Sequence, residues 1–359
     1  IFKWCNSISG WWQNIMVNDD FKLPPSKKIK FGLVGSGKVL TSFAKLLLDN
    51  KFSPPILVTW KKSLHKRDIN LLSNNSNYEN IFSFANTHNI ELIEADNVND
   101  KKIINKLKSK GVNVIFSISS RWILKDSFIN SFNGYVLNIH AGILPRDRGS
   151  VVYSKILNGI KQLGVTIHAI TSSVDAGPII SQKTFNLRTE DPSINLITSK
   201  NIELSLSLLK SFIAKLELNS SFKIKTQNHE LGLYMPQPYT EINGYIDWSW
   251  KSKHIESFIR AFGSPMPGAM TYYKNQKVII LESFIEKTDI EFHPLYYGRI
   301  VNITKNGFAK VITRDALLVI TKMKKNGVDM VPQQLLAAPN ILYTPHAILE
   351  KARIANNKS

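Results

Sequence analysis

The sequence predicts an α/β protein that ends in a smaller, β-rich part. Through roughly the first 200 residues, apolar runs of strand length alternate with segments of helical periodicity. This alternation is typical of a parallel, doubly wound sheet with helices on both faces. From about Ile246, short strands, aromatic residues and turn residues replace that pattern. The change in composition predicts a second, small domain.

The predicted elements follow one another in order along the chain. The predicted strands cover residues 28–35, 55–60, 90–93, 112–117, 135–140 and 164–170, and another strand begins at Ile179. The predicted helices cover residues 38–49, 81–87, 101–110, 151–157 and 201–218. A polar, basic loop is predicted between the second strand and the next helix, over residues 61–77.

These elements divide the chain into segments. We expect an uncertain N-terminal extension at 1–27, a first domain at 28–218, a linker at 219–240, a β-rich domain at 241–325 and a tail at 326–359. The aromatic stretch at the N-terminus is too short and too polar to span a bilayer, and it lacks a signal-peptide cleavage pattern.

The composition indicates an anionic partner and a reducing compartment. The 46 lysine and arginine residues exceed the 27 aspartate and glutamate residues, which gives a net charge of +19. Such a charge favours nucleic acid, phosphorylated metabolites, polyglutamylated cofactors or an acidic membrane surface. The chain is rich in lysine, asparagine and isoleucine throughout, so compositional bias accounts for part of the charge. A single cysteine, Cys5, excludes an internal disulfide framework and a thiolate metal cluster, and the cytoplasm is the simplest location.

The glycine-rich turn after the first strand invites two nucleotide-binding interpretations. Read as a P-loop, it has Val39 where a serine or threonine hydroxyl must bind Mg²⁺. Read as a dinucleotide fingerprint, it has Leu40 in place of the third glycine, and lysines instead of an acidic residue follow Trp60. We therefore interpret residues 32–39 mainly as a tight turn between a strand and a helix.

Polar side chains that are capable of catalysis lie at the end of the predicted strand at 135–140. Asn138 and His140 are two residues apart, so both side chains leave the same face of that strand. An amide and an imidazole placed side by side can stabilise an oxyanion and move a proton, although a capped strand end with an ordinary histidine fits equally well. Asp175 precedes a Gly-Pro turn, where it is either a turn former or a partner of His140. Paired with that imidazole, it would raise the histidine pKa and select its tautomer.

Together, Asn138, His140 and Asp175 would form an acyl-transfer site without a side-chain nucleophile, in which the amine of the substrate attacks. The segments 138–149, 164–168 and 174–180, read in this order, resemble the formyltransferase family, whose members use 10-formyltetrahydrofolate to formylate amines. The resemblance runs roughly from residue 28 to residue 218.

The resemblance implies roles for individual residues. Asn138 and His140 would polarise the formyl carbonyl, His140 would take or relay the amine proton, and Asp175 would hold His140 and a water molecule. No cluster of residues in the sequence requires a metal. The residues that would line the folate co-substrate are Ile118, Ser119, Gly142, Ile143, Leu144 and Pro145.

The second region also carries a resemblance. Residues 246–250, 258–262 and 265–269 are similar to the C-terminal domain of methionyl-tRNA formyltransferases and nucleotide-sugar formyltransferases. The implied architecture is a Rossmann-like, doubly wound, mostly parallel sheet with a smaller C-terminal β-barrel-like (OB-like) domain.

The acceptor is harder to predict than the chemistry. Residues 61–67 lack the glycines of the tRNA-type insert, and Ser150–Val152 replaces the Ala-Pro pair of that type. Residues 292–298 and 343–345 resemble the sugar-modifying relatives. We therefore expect a nucleotide-linked amino sugar, such as dTDP-4-amino-4,6-dideoxyglucose, in surface polysaccharide (lipopolysaccharide O-antigen) synthesis. A charged initiator tRNA, in a methionyl-tRNA formyltransferase, is the alternative.

Further expectations concern contacts and other functional classes. Arg121, Trp122 and Arg148 are candidate acceptor contacts, with packing as the competing role for Arg121 and Trp122, and His168 and His293 are interpreted as scaffold histidines. A homodimer is possible on the basis of aromatic residues in the second domain. A nucleic-acid-binding protein without catalysis explains the charge but leaves the polar cluster unused. The incomplete glycine fingerprint disfavours a nicotinamide-dependent oxidoreductase.

Overall fold

A computed structural model describes residues 16–17, 20–189, 191–218 and 221–355. The Trp-rich stretch at residues 1–12 lies outside the described residues. The strands are β1 (Met16–Val17), β2 (Asp20–Phe21), β3 (Phe31–Gly35), β4 (Ile56–Trp60), β5 (Leu92–Ala95), β6 (Val114–Ile118), β7 (Val136–His140), β8 (Asp147–Gly149), β9 (Gln162–Ala169), β10 (Ile179–Asn186), β11 (Phe222–Lys223), β12 (Leu233–Met235), β13 (Ala269–Tyr273), β14 (Gln276–Glu286), β15 (Ile300–Ile303), β16 (Ala309–Ile312), β17 (Leu317–Lys325), β18 (Val328–Met330) and β19 (Leu342–Tyr343).

The helices connect and cover these strands. They are α1 (Lys38–Asp49), α2 (Lys66–Leu72), α3 (Ile81–Thr87), α4 (Lys101–Ser109), α5 (Asp126–Ser131), α6 (Val151–Leu157), α7 (Ile194–Glu217), α8 (Thr240–Asn243), α9 (Ser252–Phe262) and α10 (His346–Ile354). None of the helices in the described part of the chain is long and apolar enough to cross a membrane.

A seven-stranded sheet forms the first part, in the order β10-β9-β7-β6-β3-β4-β5. Strands β3 to β7 are parallel, whereas β9 and β10 are antiparallel to their neighbours. The chain moves from β3 to β4 and β5 and then crosses to β6 on the other side of β3. Loops therefore diverge at the carboxyl ends of β3 and β6, where open α/β sheets bind ligands. This topology confirms the predicted Rossmann-like, mostly parallel sheet.

Alternate residues of the parallel strands contribute to two hydrophobic cores. Leu33 and Phe116 belong to the larger core, and Val34 and Ile115 belong to the core on the opposite face. All of these side chains are fully buried because helices cover both faces of the sheet. Edge-to-face aromatic contacts fill the larger core, with ring centroids 5.0 Å apart between Phe43 and Phe116.

Two predicted boundaries in the first part were wrong. Helix α7 begins at Ile194 rather than at residue 201, because the Ser193 side chain caps it and accepts a hydrogen bond from the Leu196 amide at 3.2 Å. The predicted loop at 61–77 contains helix α2, whose Arg67 forms an ion pair with Glu241 at 3.1 Å. Tertiary contacts thus stabilise a short helix that local sequence signals do not reveal.

The segment predicted as a linker is ordered by pairing with the first domain. Strand β11 pairs with β2, and β12 pairs in parallel with β8. The β2 strand lies within the predicted extension at 1–27, and its Phe21 is fully buried. Consequently, the chain between the two sheets is paired with β2, with Ile179 at the start of β10 and with β8.

The second sheet is antiparallel and closes on itself. Its strands follow the order β15-β16-β17-β14-β13-β19, with β18 paired to β17. Hydrogen bonds of 2.8 Å from the Ile300 amide to Asn340 and from the Leu342 amide to Gly298 join the two ends of this path. This closure fits the predicted barrel-like domain, and β18 and β19 extend it into the residues predicted as a tail.

Helix α9 joins the barrel to the first domain. Its Phe262 packs against Tyr153 of α6, with ring centroids 5.4 Å apart. Arg260 of the same helix donates to the Pro192 carbonyl at 3.1 Å and lies 3.3 Å from the Asp191 carboxylate. These contacts give Arg260 a structural role between the barrel and the first domain.

Candidate active site

Polar side chains from neighbouring strands meet at the carboxyl end of β7. Asn138 and His140 lie on β7, and the antiparallel register places His168 of β9 directly opposite Asn138. The turn after β9 then brings Asp175 to the same point. Its carboxylate oxygens lie 3.6 Å from Nδ1 of His140 and 3.5 Å from Nδ2 of Asn138. The structure thus brings together the three residues that the sequence singled out.

His140 is held in one tautomer by its surroundings. Its Nε2 atom lies 2.6 Å from the backbone carbonyl oxygen of Asp147. A carbonyl oxygen can only accept a hydrogen bond, so Nε2 carries the ring proton. In the neutral ring, Nδ1 is therefore unprotonated, and it lies 3.6 Å from the Asp175 carboxylate. Burial lowers the pKa of His140 below its ordinary value of 6.5, although Asp175 acts in the opposite direction.

Asp175 is a buried carboxylate that remains ionised. Burial alone would raise its pKa, but the charge that His168 and His140 can carry and the Gly149 amide at 3.0 Å hold that pKa well below its usual range. Its backbone lies in the left-handed region, with φ of 50°. Such strain persists only where neighbouring groups hold it.

Gln227, from the segment predicted as a linker, is the group that holds this turn. Its side chain is buried, and its amide nitrogen donates to the carbonyl oxygens of Asp175 at 2.9 Å and Gly177 at 2.6 Å. Its amide oxygen accepts a hydrogen bond of 2.9 Å from Arg148. No local pattern indicates this residue, because tertiary pairing, at the Ile179–Lys225 bridge and between β12 and β8, brings its segment to the site.

His168 belongs to the cluster, contrary to its interpretation as an ordinary scaffold histidine. Its Nδ1 lies 2.8 Å from the Ala169 carbonyl oxygen, so Nδ1 carries the proton and Nε2 accepts from Asn138 at 3.1 Å. This bond orients the Asn138 amide. One N–H of Asn138 points to His168, and the other has only the long contact to Asp175. The β7–β9 register, which no local pattern reveals, was the missing signal.

The loop after β7 is tied to the sheet by side chains of β9 and β10. Thr166 donates to the Gly142 carbonyl oxygen at 2.7 Å, and Gln182 donates to the Leu144 carbonyl oxygen at 3.0 Å. Gly142 passes so close to His140 that an added Cβ would lie 2.6 Å from its Nε2 atom. A larger residue at position 142 would therefore displace the imidazole.

The residues predicted to line the folate fall into two groups. Ser119, Ile143 and Pro145 have accessible surface at the carboxyl edge of the sheet. Ile118, Gly142 and Leu144 are buried and support that surface from behind. The backbone of this loop forms hydrogen bonds within the protein, so the accessible surface that Ile143 and Pro145 contribute is mainly apolar.

Arg121 and Trp122 are engaged by protein groups beside β4. The Arg121 guanidinium lies 4.7 Å from the centre of the Trp60 ring and 3.3 Å from the Asp68 carboxylate. The Trp122 indole donates to the Asp96 carbonyl oxygen at 3.1 Å. These contacts favour the packing role over a role in binding the acceptor.

Arg148 lies nearer to the cluster. One nitrogen of its guanidinium contacts Gln227 and also lies 3.1 Å from Nδ1 of His229. Its Nε atom is buried without a hydrogen-bond partner. The residue therefore helps to hold the segment at 227–229 against β8.

The glycine-rich turn after β3 agrees with its interpretation as a tight turn. Gly35 and Gly37 adopt positive φ values of 133° and 89°, and helix α1 begins directly afterwards. The ammonium of Lys38, which a P-loop would offer to phosphates, donates to the Ser76 carbonyl oxygen at 2.5 Å. In the ranges that the structure describes, no group of three or more metal-ligating side chains is present.

The arrangement defines a class of chemistry. A neutral imidazole with a free lone pair, backed by a carboxylate and placed beside an amide N–H donor, can remove a proton from an amine and stabilise an oxyanion. The site is therefore suited to acyl transfer to a nitrogen nucleophile that the substrate supplies.

Comparisons with known proteins place the chain within this class. A family model described as Formyl transferase matches residues 27–203, and one described as Formyl transferase, C-terminal domain, matches residues 239–339. The chain belongs to the formyl transferase family, and it is a formyltransferase.

Two relatives and one solved structure are similar to this chain at low sequence identity. The bifunctional polymyxin resistance protein ArnA of Wigglesworthia glossinidia brevipalpis is 30% identical over 220 residues, which cover 58% of this chain but only 33% of that protein. The methionyl-tRNA formyltransferase of Buchnera aphidicola is 27% identical over 239 residues, 66% of this chain and 74% of the relative. The N-formyltransferase from Helicobacter canadensis, solved with folinic acid and dTDP-3-aminofucose, has a TM-score of 0.61 and 19% identity, and the match covers 81% of this chain and 98% of the other.

Proposed function

We propose that this enzyme transfers the formyl group of 10-formyltetrahydrofolate to the amine of a nucleotide-linked amino sugar. The observation that supports the chemistry is the unprotonated Nδ1 of His140, which lies 3.6 Å from Asp175 and beside the amide of Asn138. The bound co-substrate would supply the formyl carbon, which the acceptor amine attacks. Residues 28–218 would form the catalytic domain, with the barrel following the linker.

Each residue of the cluster has a distinct task in this proposal. Asn138 donates its weakly held second N–H to the oxygen that becomes negative when the amine attacks. His140 takes the proton of the attacking amine on Nδ1. Asp175 stabilises the resulting imidazolium and pairs with it, and the same imidazolium returns the proton to the departing nitrogen. Products are a formamide and tetrahydrofolate, and all protons are accounted for.

The acceptor rests on weaker support than the chemistry. The Helicobacter canadensis enzyme carries dTDP-3-aminofucose and shares the fold over most of this chain. The Gly-free stretch at 61–67 and Ser150–Val152 depart from the tRNA-type pattern. A sugar acceptor would give the enzyme a role in surface polysaccharide synthesis, including lipopolysaccharide O-antigen, and we propose the cytoplasm as its location and a homodimer as its assembly.

Methionyl-tRNA is the second candidate acceptor. The net charge of +19 and the similarity to a methionyl-tRNA formyltransferase favour it. In the barrel, Lys277, Lys324 and Lys325 line one cleft and would attract a nucleic-acid backbone.

A competition assay tests the proposal. The enzyme receives 10-formyltetrahydrofolate with equimolar dTDP-4-amino-4,6-dideoxyglucose and methionyl-tRNA, and mass spectrometry identifies the formylated amine. We expect the sugar to be formylated faster. Preferential formylation of the tRNA would replace the proposed acceptor, and formylation of neither amine would refute both candidates.

Variants test the site itself. Asn138→Ala and His140→Ala each remove a group that acts on the transition state, so kcat is expected to fall on the order of a hundredfold or more. His346→Ala, at an exposed histidine at the start of α10, is the matched control and should leave kcat unchanged. Near-normal turnover in either site variant would contradict the assignment.

A further inference from the structure

Lys155 is a fully buried lysine beside the active site. It lies on α6, and its side chain has no exposed surface. Lysine is almost never fully buried unless a charged partner accompanies it. The partner is Asp147, whose Oδ2 atom lies 2.7 Å from the Lys155 ammonium and whose side chain is 8% exposed. The two residues form an ion pair that is closed off from solvent.

Asp147 links Lys155 to the loop that follows β7. The same carboxylate oxygen accepts a hydrogen bond of 3.0 Å from the Ile143 amide. The Asp147 amide in turn donates to the Ile143 carbonyl oxygen at 3.0 Å. The ends of the turn are therefore bonded to each other, and Lys155 anchors the closed turn to helix α6.

The anchored turn presents one atom to His140. The backbone carbonyl oxygen of Asp147 accepts from Nε2 of His140 at 2.6 Å. If this oxygen moved away, the ring proton could shift to Nδ1 and bond to the carboxylate of Asp175. Nδ1 would then have no lone pair for the amine proton. The position of the Asp147 carbonyl oxygen thus decides which nitrogen of His140 can act.

We propose that Lys155 and Asp147 are positioning residues, whose buried ion pair holds the Asp147 carbonyl oxygen against His140 and so keeps Nδ1 free as the proton acceptor. This proposal rests on the proposed formyl transfer for its catalytic meaning. Both side chains are closed off from solvent. Both act through the backbone of the loop at 143–147, so a change at either position should alter the geometry of that loop.

The test uses two variants and two readouts. Lys155→Met removes the cation, and Asp147→Ala/Lys155→Met removes both charges, so that no unpaired charge is buried in the double variant. The first readout is the ¹⁵N chemical shift of the two His140 ring nitrogens in the full-length chain with ¹⁵N-labelled histidine, assigned by comparison with His140→Asn. The second readout is kcat and KM for 10-formyltetrahydrofolate. Lys310→Met is the control, because Lys310 pairs with Glu286 at the same distance of 2.7 Å in the barrel.

We expect the wild type and Lys310→Met to show His140 protonated on Nε2. Both variants at the ion pair should show a shift toward protonation on Nδ1 and a fall in kcat of about tenfold or more, because small displacements of a catalytic group cost that much. KM should change by less than about threefold, since the contacts that bind the ligand stay in place.

The outcomes separate the possible explanations. If Lys155→Met lowers the melting temperature while the double variant keeps the wild-type tautomer and kcat, the ion pair is only structural and the proposal is overturned. If Lys155→Met does not fold, the double variant decides by the same two readouts. If the tautomer shifts as expected but the wild type formylates no amine, the proposed function fails and the control of the His140 tautomer stands.

Discussion

Removing the side chain of Gln227 should weaken both the fold and the site. Gln227 lies in the segment at 219–240 that local patterns indicate as a linker, yet only 4% of its surface is exposed. Its amide donates to two carbonyl oxygens of the turn that carries Asp175 and accepts from Arg148. Gln227→Ala leaves all three partners without these bonds.

The magnitude follows from those bonds. Each buried polar group that loses its partner costs about 1–3 kcal/mol, and here the two carbonyl oxygens of Asp175 and Gly177 lose their shared donor. In Gln227→Ala, the strained left-handed backbone of Asp175, with φ of 50°, is no longer held in place. We therefore expect the free energy of unfolding to fall by about 2–5 kcal/mol. Turnover should fall about tenfold, because Asp175 would move relative to His140.

Urea unfolding monitored by circular dichroism, together with a formyl-transfer assay, measures both effects. Gln237→Ala is the matched control in the same segment, since Gln237 is exposed and donates only to its neighbour Pro238. The control should change the free energy of unfolding by less than about 0.5 kcal/mol. A loss of less than about 1 kcal/mol in Gln227→Ala, with unchanged kcat, would refute the role of Gln227 in holding the turn.

The remaining predictions concern pH, the core and the junction of the two domains. The acid limb of the pH profile of kcat/KM should lie below pH 6.5, because burial lowers the pKa of His140. In the wild type, the Asp175 carboxylate raises the pKa of His140, so Asp175→Asn should lower that pKa and move this limb to still lower pH. A shift toward higher pH would contradict the geometry. The stability that Asp175 contributes should be complete above its ordinary pKa of 3.8 and decline as the pH falls below it, so wild type and Asp175→Asn should converge in urea unfolding at strongly acidic pH. Phe116→Ala should lower the free energy of unfolding by about 3–5 kcal/mol, since Phe116 is fully buried between two other aromatic rings; a loss under about 1 kcal/mol would argue against this packing. Arg260→Met should separate the unfolding of the barrel from that of the first domain in differential scanning calorimetry, because Arg260 bonds to the Pro192 carbonyl oxygen; a single unchanged transition would count against that junction.

Local patterns were sufficient for most of the first domain. Helix α1 has the predicted bounds, because Leu40, Phe43, Ala44 and Leu47 recur at helical spacing and all four are buried. Helix α7 shows where such patterns fail. Its first turns depend on the capping side chain of Ser193, a signal that periodicity alone does not include. Helix α2 fails for a different reason, since it is short and its Arg67 is held by a residue about 170 positions away.

Sequence by itself predicted Asn138, His140 and Asp175 as the candidate site residues, because the residue types, the spacing of Asn138 and His140 and the turn after Asp175 can be read along the chain. Alternation along a strand says which side chains share a face, but it does not say which strand lies beside it. Only the tertiary structure decided that His168 faces Asn138 and that Gln227 returns to hold the Asp175 turn. Its packing likewise buried Lys155 against Asp147, and through that pair a backbone carbonyl oxygen selects the tautomer of His140. The contacts of His168 and Gln227 join residues 30 and 52 positions apart, so they follow from strand register and tertiary packing. Lys155 and Asp147 are only 8 positions apart, but their pairing depends on how α6 packs beside the loop, which no local pattern shows.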